Sequence, residues 1–180
     1  ALLADRVEKA LVKESSHLLA ADAQVRSSRA IPDDWLGHAD DEGLKTVQMA
    51  LFASMVYSGE NNHLAAVKAV QSGYPLRGLL TLAERPFVTA PEFFESVNHG
   101  PPAGEVWVDS RLLPILQMEL GGSLEVGEVT LRVTKVIVEE PDRGGSFSLF
   151  GARVLMNWQD LAASGVIQPG SRVDYRLLLA

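Results

Sequence analysis

Apolar and polar residues alternate most regularly between residues 121 and 141. A period of two is the spacing of a β-strand with one buried face. Gly127 and Glu128 interrupt the alternation at the place where a tight turn would lie. The stretch therefore predicts a β-hairpin, and its buried side is formed by Leu124, Val126, Val129, Leu131, Val133 and Val136.

Elsewhere the apolar spacing predicts shorter elements separated by glycine and proline. A stripe at helical spacing predicts a first helix over residues 2–12, and a strand is predicted over 17–28. The later elements are a helix over 32–43, a hairpin with strands over 44–57 and 64–70, a strand and short helix over 104–122, and a strand, helix and strand over 152–180. Strand 44–57 carries five apolar residues on one face, namely Val47, Met49, Leu51, Ala53 and Met55. Residues 73–75 and 86–102 are predicted to be irregular.

This order of elements predicts an α+β fold in layers. A β-α-β-β unit is followed by a β-rich piece and then by a closing β-α-β unit. Because the composition changes near Glu84, we expect an inserted, smaller β-rich subdomain over 85–150, flanked by residues 1–84 and 151–180 of the main subdomain.

Composition and charge exclude several classes of function. The chain has 180 residues, of which 47% are hydrophobic, as in a folded globular protein. Its net charge of −7 argues against binding to nucleic acid or to an anionic membrane surface. It contains no cysteine, which excludes disulfides, thiol catalysis and zinc–thiolate sites.

No catalytic or cofactor motif stands out, so we expect no catalytic residue, no metal and no cofactor. The phosphate-binding glycine loops and the G-x-S-x-G nucleophile motif are absent. The acidic run that follows His38 is either a hard-metal site or, as we expect, the solvated end of a helix. Adjacent residues on a strand point to opposite faces, so Glu139 and Glu140 do not form one acid–base pair. Together with Asp142 they are expected to form a solvent-exposed turn around Pro141.

Two apolar clusters in irregular sequence are candidates for contact with a partner or cargo. One is Phe93 and Phe94. The other consists of Phe147, Leu149 and Phe150, between glycines that permit unusual backbone paths. Exposed aromatic residues on such segments are typical anchors for binding, whereas buried ones would fill the core between the subdomains.

Several blocks of the sequence together carry a resemblance to a known family. They are SGYPLRGLLTL, GEVWVDSRLLPILQMELGG, the predicted hairpin, and the closing ARVLMNWQDLAASGVIQPGSRVDYRLLLA. The chain resembles the extracytoplasmic domain of MacB/FtsX-like ABC transporter permeases, and among these it is most similar to the YbbP type. It departs from the family at Gly122, where members often carry an aspartate after the glycine.

The resemblance implies a fold, a location and partners. It implies a porter-like subdomain with an inserted sabre-like subdomain, as in the MacB periplasmic core, in which the first and last segments pair in one sheet. It also implies a non-catalytic periplasmic domain of an inner-membrane protein, with both ends continuing into transmembrane helices. Partners implied are an ATP-binding subunit and a periplasmic esterase or carrier protein, and the implied cargo is lipid-like or hydrophobic.

Two other functions remain open at this point. One is a free-standing soluble module that binds an apolar ligand, with the phenylalanine clusters lining a cleft. The other is a hydrolase whose catalytic residues are dispersed along the sequence.

Overall fold

The computed structural model describes residues 2–143 and 151–180, which form a sheet-dominated α+β domain. The helices are α1 (Leu2–Leu19), α2 (Asp33–Asp41), α3 (Leu112–Ile115) and α4 (Trp158–Ser164), with a short 3-10 helix at Pro91–Phe93. The strands are β1 (Ala23–Ser27), β2 (Thr46–Ser58), β3 (Asn61–Val70), β4 (Leu80–Ala83), β5 (Phe94–Val97), β6 (Glu105–Asp109), β7 (Ser123–Val126), β8 (Val129–Glu139), β9 (Arg153–Asn157) and β10 (Asp174–Leu179). The predicted α+β class is confirmed.

All ten strands that the structure describes join one mixed sheet. Their order is β1-β10-β2-β3-β9-β6-β8-β4-β5, and β7 pairs with both β2 and β8. The β3–β9 and β6–β8 pairs are parallel, and the others are antiparallel. Strands from all three predicted segments contribute to this sheet, and the subdomain boundaries at 84 and 150 stay a prediction.

The predicted hairpin over 121–141 is confirmed as β7 and β8. Val126 pairs with Val129, so that Gly127 and Glu128 form the turn, and Gly127 has a positive φ of 59°. The pairing of β8 with β6 shifts register beside Thr134, as in a β-bulge. This bulge explains why Val133 and Val136 are both buried although they lie three residues apart.

The predicted hairpin over 44–70 is confirmed as β2 and β3, which turn at Gly59. Of the five apolar residues predicted to share a face of β2, the three nearest its start are buried and the last two are exposed. The buried core divides into two clusters. One contains Phe52, Val67 and Val154, and the other contains Met49, Trp107 and Leu155.

Two local predictions were wrong. The first helix continues to Leu19 instead of ending near residue 12, because residues 13–19 include good helix formers, and it stops only at Ala20, whose φ is 56°. The strand predicted from residue 17 is therefore only Ala23–Ser27. The second error concerns residues 86–102, which contain the 3-10 helix and β5.

The first and last strands lie side by side, as the resemblance implied. β1 pairs with β10 in antiparallel fashion, with Ala23 opposite Leu179. The Asp22 amide donates to the Leu179 carbonyl at 3.0 Å. The end of α1 and the end of β10 therefore meet at one edge of the sheet. Within the described residues, no helix is both long enough and apolar enough to cross a bilayer.

Candidate functional site

The structure separates the predicted contact residues. Phe147, Leu149 and Phe150 lie outside the described residues, so their predicted role stays a prediction. Phe93 lies on the 3-10 helix and is 50% exposed. Phe94 begins β5, is half-buried and packs against the larger hydrophobic cluster. Of the first pair, Phe93 alone is therefore open to a partner.

Phe93 borders a shallow groove of about 280 Å³. The guanidinium of Arg85 lies 5.5 Å from the centre of the Phe93 ring, within the range of a cation–π contact. The groove is also lined by three glutamates, Glu84, Glu92 and Glu95. Of these, Glu95 forms an ion pair with Lys135. The side chains that line the groove therefore carry a net negative charge. Its one exposed aromatic ring, that of Phe93, is in contact with Arg85.

A cluster of buried charges lies elsewhere, around Lys68 of β3. The Lys68 ammonium donates to the Tyr74 hydroxyl at 2.7 Å, to Glu140 Oε2 at 3.1 Å and to Asp142 Oδ1 at 2.6 Å. Tyr74 in turn donates its hydroxyl proton to Asp142 at 2.5 Å. Arg153 Nε donates to Glu140 Oε1 at 2.9 Å. Two cations face two carboxylates, so the cluster is neutral overall.

Burial and neighbouring charges set the protonation of this cluster. Burial raises the pKa of Tyr74 well above 10, and the negative charge of Asp142 raises it further. Burial alone would raise the pKa of Asp142, but the positive charge of Lys68 and the hydrogen bonds that it receives keep that pKa below the usual range. At neutral pH the tyrosine is therefore protonated and the aspartate is ionised.

The buried cluster corrects the prediction of an exposed turn around Pro141. Only 3% of Glu140 and 7% of Asp142 is exposed, whereas Glu139 faces solvent as predicted. Glu140 follows the end of β8, and its chain turns inward towards β3 and β9. The opposite orientations expected for Glu139 and Glu140 are thus confirmed, but the solvation expected for Glu140 and Asp142 was wrong.

This cluster joins the two chain segments that flank residues 144–150. Asp142 precedes that segment, and Arg153 follows it at the start of β9. Gly151 lies against the backbone of β3, where an added Cβ would come within 3.4 Å of the Ala66 nitrogen. Asp142 before that segment and Gly151 after it therefore both lie against β3, at Lys68 and Ala66 respectively.

Sequence reasoning missed these buried charges, although one signal was present. Lys68 interrupts the apolar run of β3, and a lysine inside a buried strand needs carboxylate partners. Tyr74 lies 6 residues from Lys68, but Glu140 and Asp142 lie 72 and 74 residues away. Nothing local in the sequence identifies such distant partners.

The acidic run after His38 shows no metal-binding geometry. His38 is exposed in the last turn of α2, and in the described part of the chain no three histidine, aspartate or glutamate side chains are placed to hold a metal ion. Nearby, α2 and the edge of the sheet enclose an apolar cleft of about 360 Å³, lined chiefly by Val25, Trp35, Ala39, Leu44, Leu177 and Leu179.

Comparison with known proteins finds a similarity to one region of a transporter permease. No family model matches it. It is 37% identical over 174 residues to the ABC transporter permease YbbP of Escherichia coli strain K12, and the match covers 97% of this chain and 20% of the relative. The chain thus spans about one fifth of the curated relative's length.

A solved structure shares the fold. This is the extracellular domain of the noncanonical ABC-type transporter YknZ from Gram-positive bacteria. It superposes with a TM-score of 0.51 and 15% sequence identity, over 81% of this chain and 70% of that chain.

Proposed function

Because this chain is similar over nearly its whole length to one region of an ABC transporter permease, we propose that it is a non-catalytic extracytoplasmic domain that couples ATP hydrolysis in the cytoplasm to movement in the cell envelope. In this proposal the domain sits on transmembrane helices attached at its two ends. Their movement shifts the domain and acts on cargo or on a partner protein.

The observation that supports this proposal best is the pairing of β1 with β10. A domain that follows two membrane helices needs its entry and exit points to be close together and mechanically linked. The backbone ladder between β1 and β10 provides that link, and the Arg26–Asp174 ion pair at 2.7 Å reinforces it. β10 also pairs with β2, so displacement of either end is passed directly to the central sheet.

We propose that the domain itself catalyses no reaction. Its charged cluster is the obvious place for acid–base chemistry, yet the side chains of Lys68, Glu140 and Asp142 are 2% exposed or less. A substrate has no access to groups enclosed in this way, and the cluster's charges already neutralise one another. The cluster therefore supports structure, and ATP is hydrolysed by a separate ATP-binding subunit.

Further partners belong to the same proposal. The aromatic residues Phe93, Phe147 and Phe150, together with Leu149, would contact a periplasmic esterase or carrier protein, or a lipid-like cargo. The exposure of Phe93 supports this assignment. Phe94 is half-buried against the core and contributes less.

Site-directed labelling of the full-length permease in intact cells tests the location. The chain has no cysteine, so cysteine introduced at the exposed Ser72 provides a unique label site on this domain. We expect a membrane-impermeant maleimide to label it without cell lysis. Labelling only after lysis would place the domain in the cytoplasm and overturn the proposal. A separate assay tests the proposal that the domain is not catalytic. In this assay the isolated chain should hydrolyse neither nucleotides nor esters.

A second candidate function rests on the apolar cleft beside α2. Its volume of about 360 Å³ and its aliphatic lining suit a small apolar ligand, which is what a free-standing binding module would hold. Titration of the isolated chain with a medium-chain alcohol tests this, followed by the intrinsic tryptophan fluorescence, to which Trp35 in the cleft contributes. A saturable change that is lost in Leu44→Asn, at an exposed position of the cleft lining, would favour this candidate, and a linear change would remove it.

A further inference from the structure

A second cleft, of about 230 Å³, lies between the segment that follows β4 and the end of β6. Arginines from three parts of the chain line it, namely Arg85, Arg111 and Arg143. Asp109 is the one acidic residue in the lining. The apolar part of the lining consists of Phe87, Val88, Ile137 and Val138. In a chain of net charge −7, this cleft is a local positive region.

Asp109 positions two of these arginines. It accepts hydrogen bonds from Arg111 Nε at 3.0 Å and Nη2 at 2.7 Å, and from Arg143 Nη2 at 3.4 Å. Burial alone would raise the pKa of Asp109, but the hydrogen bonds from Arg111 outweigh burial and lower it, so the carboxylate is ionised at neutral pH. Each guanidinium has five N–H donors, and Asp109 uses only one or two from each. The cleft therefore has a net positive charge, and several guanidinium N–H groups of Arg111 and Arg143 are not used by Asp109.

Phe87 stands at the rim of the cleft in a strained conformation. Its φ is 58°, a region that bulky L-residues rarely adopt, and its side chain is 61% exposed. Its amide donates to the Ser110 hydroxyl at 3.2 Å, which ties the strained segment to the end of β6. Burial does not compensate this strain, because the ring faces solvent. Backbone strain that presents an exposed aromatic side chain is a feature of binding sites.

The cleft is formed by parts of the chain other than those at the two ends. Its lining residues belong to the segment after β4, to the end of β6 and the residues that follow it, and to the end of β8 and the residues beyond it. Ala180, in contrast, exchanges backbone hydrogen bonds with Lys45, just before β2. If the ends lead into the membrane, as proposed above, the cleft shares no lining residue with the attachment points.

We propose that this cleft docks an acidic segment of a soluble extracytoplasmic protein. The carboxylates of that segment pair with Arg111 and Arg143, and an apolar residue beside them packs on Phe87. Arginine and aromatic residues together are the usual composition of an interface hot spot. The glutamates around Phe93, on the other side of Arg85, confine the acidic segment to the Phe87 side. This inference rests on the proposed extracytoplasmic location.

Photo-crosslinking in the full-length permease tests the proposal. The photoreactive residue p-benzoylphenylalanine replaces Phe87 in cells, and the matched control replaces Leu79, which is apolar and 50% exposed but lies outside the cleft. We expect position 87 to crosslink one soluble protein that position 79 does not. Mass spectrometry of the crosslinked peptide should map the contact to a segment rich in aspartate and glutamate.

Affinity measurements with the purified crosslinked protein and the 180-residue chain complete the test. We expect Arg143→Glu and Phe87→Asn each to weaken binding at least tenfold, and Arg172→Glu, an exposed arginine beside β10, to leave it unchanged. Phe87→Asn keeps a residue that tolerates positive φ, so its melting temperature should not fall. Higher salt should weaken binding of the unsubstituted chain.

Several outcomes would overturn the inference. These are no crosslink at position 87, equal crosslinking at position 79, capture of phospholipid alone, a contact segment that is not acidic, or an affinity unaffected by Arg143→Glu. The maleimide test at position 72 is independent of all of them. Periplasmic labelling without an acidic partner would overturn this inference and leave the proposed function intact.

Discussion

Lys68 is the residue on which the buried charges depend, because it contacts both carboxylates of the cluster. An ion pair buried in this way adds little net stability compared with a hydrophobic core, since desolvation offsets the attraction between the charges. Removing one partner is different, because it leaves the opposite charge buried without compensation. Two buried atoms, Asp142 Oδ2 and Arg153 Nη1, already lack a hydrogen-bond partner among the described residues.

We therefore expect Lys68→Met to lower the free energy of unfolding by about 3–5 kcal/mol, since Asp142 and Glu140 would lose their shared cation. Lys45→Met is the matched control, because Lys45 is exposed, and we expect a change within about 0.5 kcal/mol. Urea denaturation of both variants measures the difference. Equal stability of the two would show that the cluster is not coupled to folding.

The pH dependence of the stability lost in Tyr74→Phe should report the protonation state of Tyr74. Near pH 7 we expect a loss of about 1.5–3 kcal/mol, because Asp142 loses a hydrogen bond to its charged form. The pKa of Tyr74 is raised in the folded state, whereas an unfolded tyrosine ionises near 10. The stability that Tyr74 contributes is thus complete below about pH 10 and decreases progressively as the pH rises from there towards the raised folded-state pKa, so in urea melts the gap between the two proteins should stay constant up to about pH 10 and narrow above it. A constant gap would contradict the assigned pKa.

Phe93 and Phe94 differ in burial, since Phe93 is exposed and Phe94 packs on the core. Phe93→Ala should change the melting temperature little, whereas Phe94→Ala should cost about 1–2 kcal/mol, because Phe94 packs on the core. We expect Phe147→Ala and Phe150→Ala to behave like Phe93→Ala and to weaken partner binding by about 2 kcal/mol. If both lose many degrees in thermal melts, those residues are core and their predicted role should be dropped.

At the scale of elements, the turn of the β7–β8 hairpin is held by its contact with α4. The Glu128 amide donates to the Ser164 carbonyl at 2.8 Å, at the end of α4. Gly127 allows this approach, because an added Cβ would lie 2.1 Å from the Ser164 carbonyl oxygen. The glycine of this turn is therefore required by packing as well as by its positive φ.

Two glycine turns with nearly the same φ separate these requirements. Gly59 has a φ of 58° and open space around it, whereas Gly127 has a φ of 59° and backbone against it. We expect Gly59→Ala to cost about 1–2 kcal/mol from the backbone alone. Gly127→Ala should cost at least about 2 kcal/mol more, since the clash is with main chain that is held in place. Chemical denaturation of both variants measures the two losses of stability. Equal losses would refute the argument that Gly127 is required by packing.

At the scale of the whole molecule, α1 is peripheral and β10 is central. α1 lies beside β1, and Val7, Leu11, Val12 and Leu18 are each more than half exposed. β10 is paired on both sides, with β1 and β2, and its Leu177 and Leu178 are buried. The sheet therefore depends on the last strand of the chain far more than on the first helix.

Two deletions test this asymmetry. Removal of residues 2–19 should leave a cooperative thermal transition within a few degrees of the intact chain, because little described apolar area is lost from the core. Removal of residues 174–180 should abolish the cooperative transition, since β1 loses its partner and the edge of β2 is exposed. Circular dichroism melts provide the comparison. A stable chain without β10 would contradict the role assigned to that strand as the link between the two ends.

The sequence by itself determined the α+β class, both hairpins and the position of their turns, because alternation and glycine act over a few residues. It also carried the likeness to transporter permeases, through blocks distributed along the chain. It failed at the end of α1, where helix propensity and strand alternation compete within the same residues.

Only the tertiary structure decided which charges are buried and which aromatic residues are exposed. Glu140 and Asp142 occupy a turn-like sequence, yet they are buried because Lys68, more than seventy residues away, reaches them across the fold. Phe93 and Phe94 are adjacent in sequence, but only one of them faces the core. Burial depends on which segments, distant in sequence, come into contact in the fold. Local sequence patterns carry little information about such long-range contacts.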